Sequence, residues 1–267
     1  MARTYQDVCD KVIRDCDDFP IKENIAELRK RTKRDLLMLK RKGINSFESL
    51  REALLQPTPS IPLYTAIRLM ERFEKSRAVP VFLRMLNSDN PSQFWGQLDN
   101  TLATMSGKLV VKGCLKILSR PTDDDLRETV VYIISVMWGQ REAIDVLLEI
   151  FTNEQETLRS RAQAAEGLGS LLDHCYTRRH RIWREVGDAL IEGLSHEAPE
   201  IRFSSAFGLN QMRYKKALPK LEELAEFDKT LRPGAWTVGE MAYDAAFYIR
   251  TGQSSGIDRI PVPITQN

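Results

Sequence analysis

A unit of about 32 residues recurs along this chain, and it constrains the fold more than any other feature of the sequence. One series of large apolar residues repeats at intervals of 32, 32, 43 and 31 residues: Leu83, Leu115, Leu147, Leu190 and Leu221. A second series repeats at intervals of 32, 32 and 43 residues: Phe94, Leu126, Leu158 and Ile201. Both series lengthen at the same place, which predicts one insertion of about eleven residues near Asp173 to Trp183.

Each unit has the apolar spacing of two helices, and strand-like alternation is nearly absent from Tyr5 to Ile249. The predicted A helices are Pro62–Glu74, Pro91–Met105, Asp123–Met137, Glu156–Leu172, Pro199–Met212 and Trp236–Ile249. The predicted B helices are Ala78–Leu86, Lys108–Leu118, Glu142–Phe151, Trp183–Leu194 and Lys216–Ala225. Pro80 and Pro219 are expected in the first turn of their helices, where the missing N–H does no harm.

The repeat predicts three regions of the chain. Residues 58–250 form the repeat region, because one helix pair cannot bury both of its faces and has to stack on its neighbours. Residues 1–57 form a helical N-terminal cap, with helices predicted at Tyr5–Asp17, Lys22–Lys42 and Ser46–Leu55. Residues 251–267 carry Gly, Ser and Pro without a helical pattern, which favours an extended C-terminal tail.

Two stretches show the repeat in its clearest form. One runs from Pro199 to Leu209 and continues from Ala217 to Leu221, and the other runs from Leu158 to Gly169. Both resemble a bacterial HEAT-like repeat, and the resemblance extends over roughly residues 60–250. It implies an all-α fold: a right-handed α-α superhelix, an armadillo-type α-solenoid, of about five to six HEAT-like helix pairs. In such solenoids the B helices usually line the inner surface.

Two predicted B helices carry the same acidic pattern, which we call the acidic ladder. Its residues lie at positions i, i+3 and i+7 of each helix: Glu142, Asp145, Glu149, Glu185, Asp188 and Glu192. On each helix these carboxylates are predicted to lie opposite the apolar face. The ladder fits either a solvated polar face or a negative groove that binds the basic surface of a partner protein. No metal site is predicted, because no histidine joins the carboxylates.

The insertion near residues 173–183 is the second candidate site, because departures from a repeat often carry binding contacts. Its arginines are predicted to contact a partner: Arg178, Arg179 and Arg181. His174 and Cys175 lack two further ligands at a zinc spacing, so no zinc site is predicted. His196 and Glu197 resemble one of the several His-Glu pairs that hold iron in deoxyhypusine hydroxylase, a HEAT-like enzyme. The chain has only three histidines, so His196 is expected to cap a helix or lie at the surface.

A basic helix is the third candidate. Eight cations fall between Leu28 and Lys42: Arg29, Lys30, Arg31, Lys33, Arg34, Lys40, Arg41 and Lys42. They could bind phosphates or an acidic protein. They could equally form a solvated face whose aliphatic stems cover apolar surface.

The sequence favours a non-catalytic protein–protein interaction module or adaptor that binds a partner protein on the inner surface of its B helices. It contains no Gly-rich phosphate loop, no GxSxG elbow and no HExxH pair, so no catalytic residue, cofactor or metal is predicted. A cluster of cations on the B helix ahead of the ladder favours a partner of mixed charge: Lys108, Lys112, Lys116 and Arg120.

Two other functions stay open. A nucleic-acid-binding HEAT-like protein of the DNA-repair glycosylase type needs a continuous positive surface, which the ladder opposes, so its route would be Arg29–Lys42. A chromophore-lyase-like enzyme is the weaker alternative, because it rests on analogy of fold alone.

Composition adds few limits. The net charge of +2 neither demands nor excludes a polyanionic partner. No apolar run reaches the roughly 18 residues of a membrane helix, and the first residues lack the apolar core of a secretory signal. We therefore expect a cytoplasmic protein without membrane contact, with its four scattered cysteines as reduced, packed thiols.

Overall fold

The computed structural model describes residues 4–16, 25–88, 95–105, 107–231 and 236–255. Within these ranges the chain forms fourteen α-helices, one short 3₁₀ turn and no strand, which confirms the predicted all-α class. A single β-bridge joins Leu231 and Thr237. Parts of four predictions lie outside the described residues: the ends of the helices predicted at Tyr5–Asp17, Lys22–Lys42 and Pro91–Met105, and most of the tail 251–267.

The chain divides into two compact units, Met1–Arg120 and Pro121–Asn267. The first unit contains α1 (Tyr5–Arg14), α2 (Ile25–Arg41), α3 (Phe47–Leu54), α4 (Leu63–Phe73), α5 (Lys75–Leu86), α6 (Trp95–Ala103) and α7 (Gly107–Leu118). The second contains α8 (Asp124–Ser135), α9 (Arg141–Thr152), α10 (Leu158–Cys175), α11 (Arg181–Gly193), α12 (Pro199–Met212), α13 (Leu218–Phe227) and α14 (Val238–Thr251). The predicted boundary between residues 57 and 58 falls inside the first unit, between α3 and α4.

Most helices begin and end within a few residues of their predicted limits, because their start signals are local. Side chains accept a backbone N–H at the start of six of the described helices: Thr4, Ser46, Asp123, Thr157, His180 and Thr237. Pro199 is the first residue of α12, and Pro219 lies in the first turn of α13, as predicted.

The predicted position of Pro80 is wrong. Helix α5 begins at Lys75, so Pro80 is its sixth residue rather than a residue of its first turn. Only Glu74 separates α4 from α5, and its extended backbone turns the chain directly into the next helix. The proline is tolerated there because its ring lies on the exposed side of α5.

The predicted insertion is shorter as a loop than its sequence length suggests. Helix α10 continues to Cys175 instead of ending at Leu172, and α11 already begins at Arg181. The extra residues therefore lengthen α10, and only residues 176–180 form the connection.

Close contacts between successive A helices, which are α8, α10, α12 and α14, organise the second unit. Helix α10 packs against α8 on one side and α12 on the other, and α12 packs against α14. A Cβ atom at Gly169 would overlap the backbone of Gly208, and a Cβ atom at Gly167 would lie 2.9 Å from Cα of Ser135. Each B helix packs on the A helix that follows it, as in the pairs α9–α10, α11–α12 and α13–α14.

In the first unit α4 occupies the centre and contacts α1, α2, α3, α5 and α6. Its Leu69 and Met70 are fully buried. Cys9, Cys16 and Cys114 are buried free thiols and Cys175 is a half-buried one, as expected of packed cysteines. In the described part of the chain, no helix is both long and apolar enough to cross a membrane.

Replacing Gly169 by alanine should lower the free energy of unfolding by about 1–3 kcal/mol, because the new methyl group has no room beside Gly208. Urea denaturation followed by circular dichroism should show a lower midpoint. The control Gly96→Ala adds a methyl group to α6 with nothing within 4 Å, and should keep or slightly raise the stability. Equal stability of the Gly169→Ala and wild-type proteins would contradict the close packing of α10 on α12.

Arg202 joins three parts of the second unit. Its Nε lies 2.7 Å from a carboxylate oxygen of Asp228, and its Nη1 donates to the carbonyls of His196 and Glu197. The side chains of Arg202 and Asp228 are only 14% and 9% exposed. Burial raises the pKa of Asp228, but hydrogen bonds from Arg202 and Thr230 outweigh it and hold the pKa below its usual value.

We expect Asp228→Asn to destabilise the protein by about 2 kcal/mol at pH 7, because Arg202 loses its buried counter-charge. The lowered pKa makes the contribution of Asp228 complete above its unfolded pKa of about 3.9. That contribution disappears as the pH falls through the folded-state pKa. The stability difference between wild type and variant, measured by urea unfolding, should therefore shrink as the pH falls below about 4. Asp173→Asn, at an exposed position of α10, is the control, and a difference that is constant with pH would refute the argument.

Candidate functional site

The first triplet of the acidic ladder lies on the exposed face of α9: Glu142, Asp145 and Glu149. The opposite face of the helix is buried and carries Ala143, Ile144, Leu147 and Ile150. The spacing therefore places these three carboxylates in solvent, as predicted. They form a negative strip along one side of the helix.

Two carboxylates of the second triplet, on α11, pair with other side chains of the protein. Glu185 pairs with Arg181 one turn earlier. Asp188 accepts hydrogen bonds from Nζ of Lys216 at 2.8 Å and from the Tyr214 hydroxyl at 3.0 Å. The hydrogen bond from Lys216 lowers the pKa of Asp188. Of this triplet, Glu192 is exposed without such a partner among the described residues.

The two ladder helices meet at their C-terminal ends. A Cβ atom at Gly193, the last residue of α11, would lie 2.8 Å from Cζ of Phe151 in α9. The ladder therefore belongs to neighbouring helices, although the contact is made by their apolar ends rather than by the carboxylates.

The arginines of the insertion are exposed, and two of them have partners within the chain. The guanidinium of Arg178 lies 5.7 Å from the centroid of the Trp183 ring, and Arg181 pairs with Glu185. His180 precedes α11 and accepts the N–H of Ile182 at 3.3 Å. Arg179 is also exposed. The connection is thus a compact turn that presents cations above the start of α11.

Four side chains beside this turn form what we call the aromatic cluster: Trp138, His174, Tyr176 and His180. Trp138 is 67% exposed, and its ring stacks on His174 at a centroid distance of 4.9 Å. Tyr176 packs on His180 at 4.5 Å. The cluster consists of these two ring pairs, in which Tyr176 is half-buried and the other three side chains are exposed.

The aromatic cluster borders the acidic face of α9. The guanidinium of Arg141, the first residue of α9, lies 5.1 Å from the centroid of the Tyr176 ring. The N–H of Gly139 donates to the sulfur of Cys175, which joins the α8–α9 turn to the end of α10. Burial raises the pKa of Tyr176, and the negative charge of Asp145 raises it further. The aromatic rings and the α9 carboxylates are therefore parts of one surface.

Trp138 and Arg141 were not among the predicted site residues. Trp138 lies in a turn outside the helical period, so its exposure has no periodic signal. The available signal was the dipeptide Trp138-Gly139, a large aromatic residue before a glycine with a φ of +76° in a polar turn.

The basic helix is α2, which buries Leu36 and Leu39 and exposes most of its cations. Lys42, just after the helix, donates to the carbonyl of Ser60 and so has a structural contact. Leu37 and Met38 are also exposed, at 55% and 37%. This helix belongs to the first unit, and the ladder belongs to the second.

No group of three or more His, Cys, Asp or Glu side chains among the described residues is arranged to hold a metal ion. His196 accepts the N–H of Ala198 at 3.0 Å in the turn before α12. Ala198 is the N-cap of α12 and has no side-chain capping bond, so the half-buried His196 stabilises the turn rather than capping the helix. No protein-family model matches the chain, and no curated protein is similar to it in sequence.

The two ladder helices should respond differently to charge reversal. Asp188→Lys should lower the free energy of unfolding by about 0.5–1 kcal/mol. The variant loses the hydrogen bonds from Lys216 and Tyr214 and places a second cation beside Lys216. Asp145→Lys should change it by less than about 0.5 kcal/mol, because Asp145 is exposed. Thermal melting of the two variants in parallel measures the difference. The same loss of stability in both would show that Asp188 has no special structural role.

Proposed function

We propose that this chain is a HEAT-like α-solenoid, a right-handed superhelix of stacked helix pairs, and that it binds a partner protein without catalysing a reaction. The order of helices in the second unit supports the proposal. There α8, α10, α12 and α14 are successive neighbours, and each B helix packs on the following A helix. The 32-residue repeat and the close approach at Gly169 and Gly208 fit the same arrangement.

The partner is proposed to bind the aromatic cluster and the α9 carboxylates together. The observation that carries this proposal is the exposed Trp138 stacked on His174, together with the Tyr176 ring, which Arg141 contacts at the start of α9. Tryptophan, tyrosine and arginine are the residues that contribute most to binding energy in protein interfaces. Rings held in place by stacking lose little conformational entropy when a partner covers them.

The partner surface is proposed to be basic, with an apolar side chain that covers Trp138. Glu142, Asp145 and Glu149 supply three exposed negative charges beside the rings. Long-range attraction to lysine or arginine would increase the association rate, and salt would weaken it because the carboxylates are exposed. Arg178 and Arg179, the cations of the turn, would bind carboxylates at the edge of the same partner surface.

Binding of nucleic acid is the second candidate function, and the exposed cations of α2 favour it. It would use the first unit rather than the ladder. The surface of α9 opposes it, because its carboxylates would repel phosphates.

The test uses labelled helical peptides with one apolar face and either lysine or glutamate on the polar face. The glutamate peptide should gain no affinity from the α9 carboxylates, whereas we expect the lysine peptide to bind the wild-type protein through them. The triple variant Glu142→Lys, Asp145→Lys, Glu149→Lys should bind it at least about tenfold more weakly, close to 1.4 kcal/mol. Asp188 is left unchanged, because its reversal would disturb the structure.

A matched control carries the same change of charge at scattered exposed sites: Asp10→Lys, Glu27→Lys and Glu154→Lys. It should bind the lysine peptide nearly as well as the wild type. Trp138→Ala should also weaken binding while the melting temperature stays the same, because the ring is mostly in solvent. If the triple variant and its control bind equally, the α9 carboxylates are only a solvated face.

A further inference from the structure

A second surface, in the first unit, has the opposite charge. Helices α5 and α7 pack against each other and leave a groove of about 630 Å³ between them. Gly113 of α7 allows the approach, because a Cβ atom there would overlap the side chain of Leu83. One stripe of residues on each helix lines the groove. On α5 and just after it, these are residues 79, 80, 83, 84 and 87. On α7 and just after it, they are residues 109, 112, 113, 116, 117 and 120.

The inner part of the groove is apolar. Val79 and Ile117 are buried beneath it, and Leu83 is half-buried at its centre. Leu109 is 43% exposed at one end, and the ring of Pro80 is exposed on the other wall. Large apolar side chains that remain in solvent along a groove are typical of a surface that a partner covers.

The edges of the groove are positive. Arg84 stands on α5, and Lys112, Lys116 and Arg120 stand along α7. All four are exposed, and none forms an ion pair with any described residue. Neither aspartate nor glutamate is among the described residues that line the groove.

We infer that this groove binds an acidic amphipathic helix of a partner protein. An apolar channel along two packed helices fits side chains at positions i, i+3 or i+4 and i+7 of a third helix. The lysines at positions 112 and 116 recur with the period of one turn, so glutamates one turn apart on the bound helix would lie opposite them. The cations at the edges of the groove would repel a basic helix, and no carboxylate among the described lining residues would attract one.

The apolar lining favours an acidic peptide over other polyanions as the occupant of the groove. Single-stranded nucleic acid binds through phosphates and through stacking of bases on aromatic rings, and the described lining residues include no aromatic ring. A helix with leucines on one face and glutamates on its borders uses both the channel and the cations. The occupant is therefore a helix from a protein.

The experiment measures binding of three fluorescent 16-residue peptides to the full chain by anisotropy. One has an apolar stripe bordered by glutamates, the second has the same stripe bordered by lysines, and the third has the acidic composition in scrambled order. We expect the acidic amphipathic peptide to bind at least about tenfold more tightly than the scrambled peptide, and Lys116→Glu should not weaken binding of the lysine-bordered peptide.

Variants on one helix provide the control. Lys116→Glu should weaken binding of the acidic amphipathic peptide at least about fivefold, and Lys116→Arg should keep it. Lys108→Glu, an equal change of charge on α7 outside the groove, should have little effect. Leu109→Ser should also weaken binding, and circular dichroism should show that each of these exposed substitutions leaves the helices intact.

Three results would overturn the inference. Equal binding of the scrambled and the amphipathic acidic peptides would show that charge attraction alone, without the apolar groove, accounts for binding. Equal effects of Lys116→Glu and Lys108→Glu would place the contact elsewhere. Tighter binding of a 16-nucleotide single-stranded DNA or of phosphatidylserine vesicles, lost with Lys116→Glu, would assign the cations to a nucleic acid or a membrane. The ladder is tested with a lysine peptide and variants of α9, and the groove is tested with an acidic peptide and variants of α7. Failure of one proposal therefore leaves the other testable.

Discussion

The distance between successive A helices determines the form of the second unit. Gly167 faces Ser135, and Gly169 faces Gly208, so α10 approaches both neighbours until its backbone nearly touches theirs. Contact at that distance gives many small dispersion attractions and leaves no space that water can enter. Because small residues are needed at each crossing, the repeated helix pair can stack only in a narrow range of positions.

Polar contacts then hold the less regular parts of the unit against this stack. Arg202 links the turn before α12 to Asp228, and Lys216 links the segment before α13 to Asp188. Both contacts connect residues of different helix pairs that are more than 25 positions apart in sequence. A surface fixed in this way is ordered before any partner arrives, which reduces the entropy lost on binding.

The helices could be predicted from the sequence because their apolar period and their capping residues are local. The start of α5 was missed, since it depends on the single extended residue Glu74 and not on the nearby Pro80. The pairing of Asp188 was missed for a different reason. Its spacing made it look like Asp145, while its partner Lys216 lies 28 residues away and is brought close only by folding.

The candidate site was predicted in part. The helical period placed Glu142 and Glu149 on the exposed face of α9, but a turn residue such as Trp138 follows no period. The groove between α5 and α7 required knowledge of which helices pack together. The cations of α7 were visible in the sequence, whereas the apolar channel beside them arises from the approach of Leu83 and Gly113.

The added turn of α10 lies beyond the two glycines that fix its position. Residues 173–180 therefore lie outside the part of the helix that holds the stack, and they carry His174 and Tyr176 of the aromatic cluster. Substitutions in this segment would alter the proposed contact surface and leave the packing of α10 on its neighbours unchanged. The proposed recognition surface and the packing contacts thus occupy separate stretches of one helix.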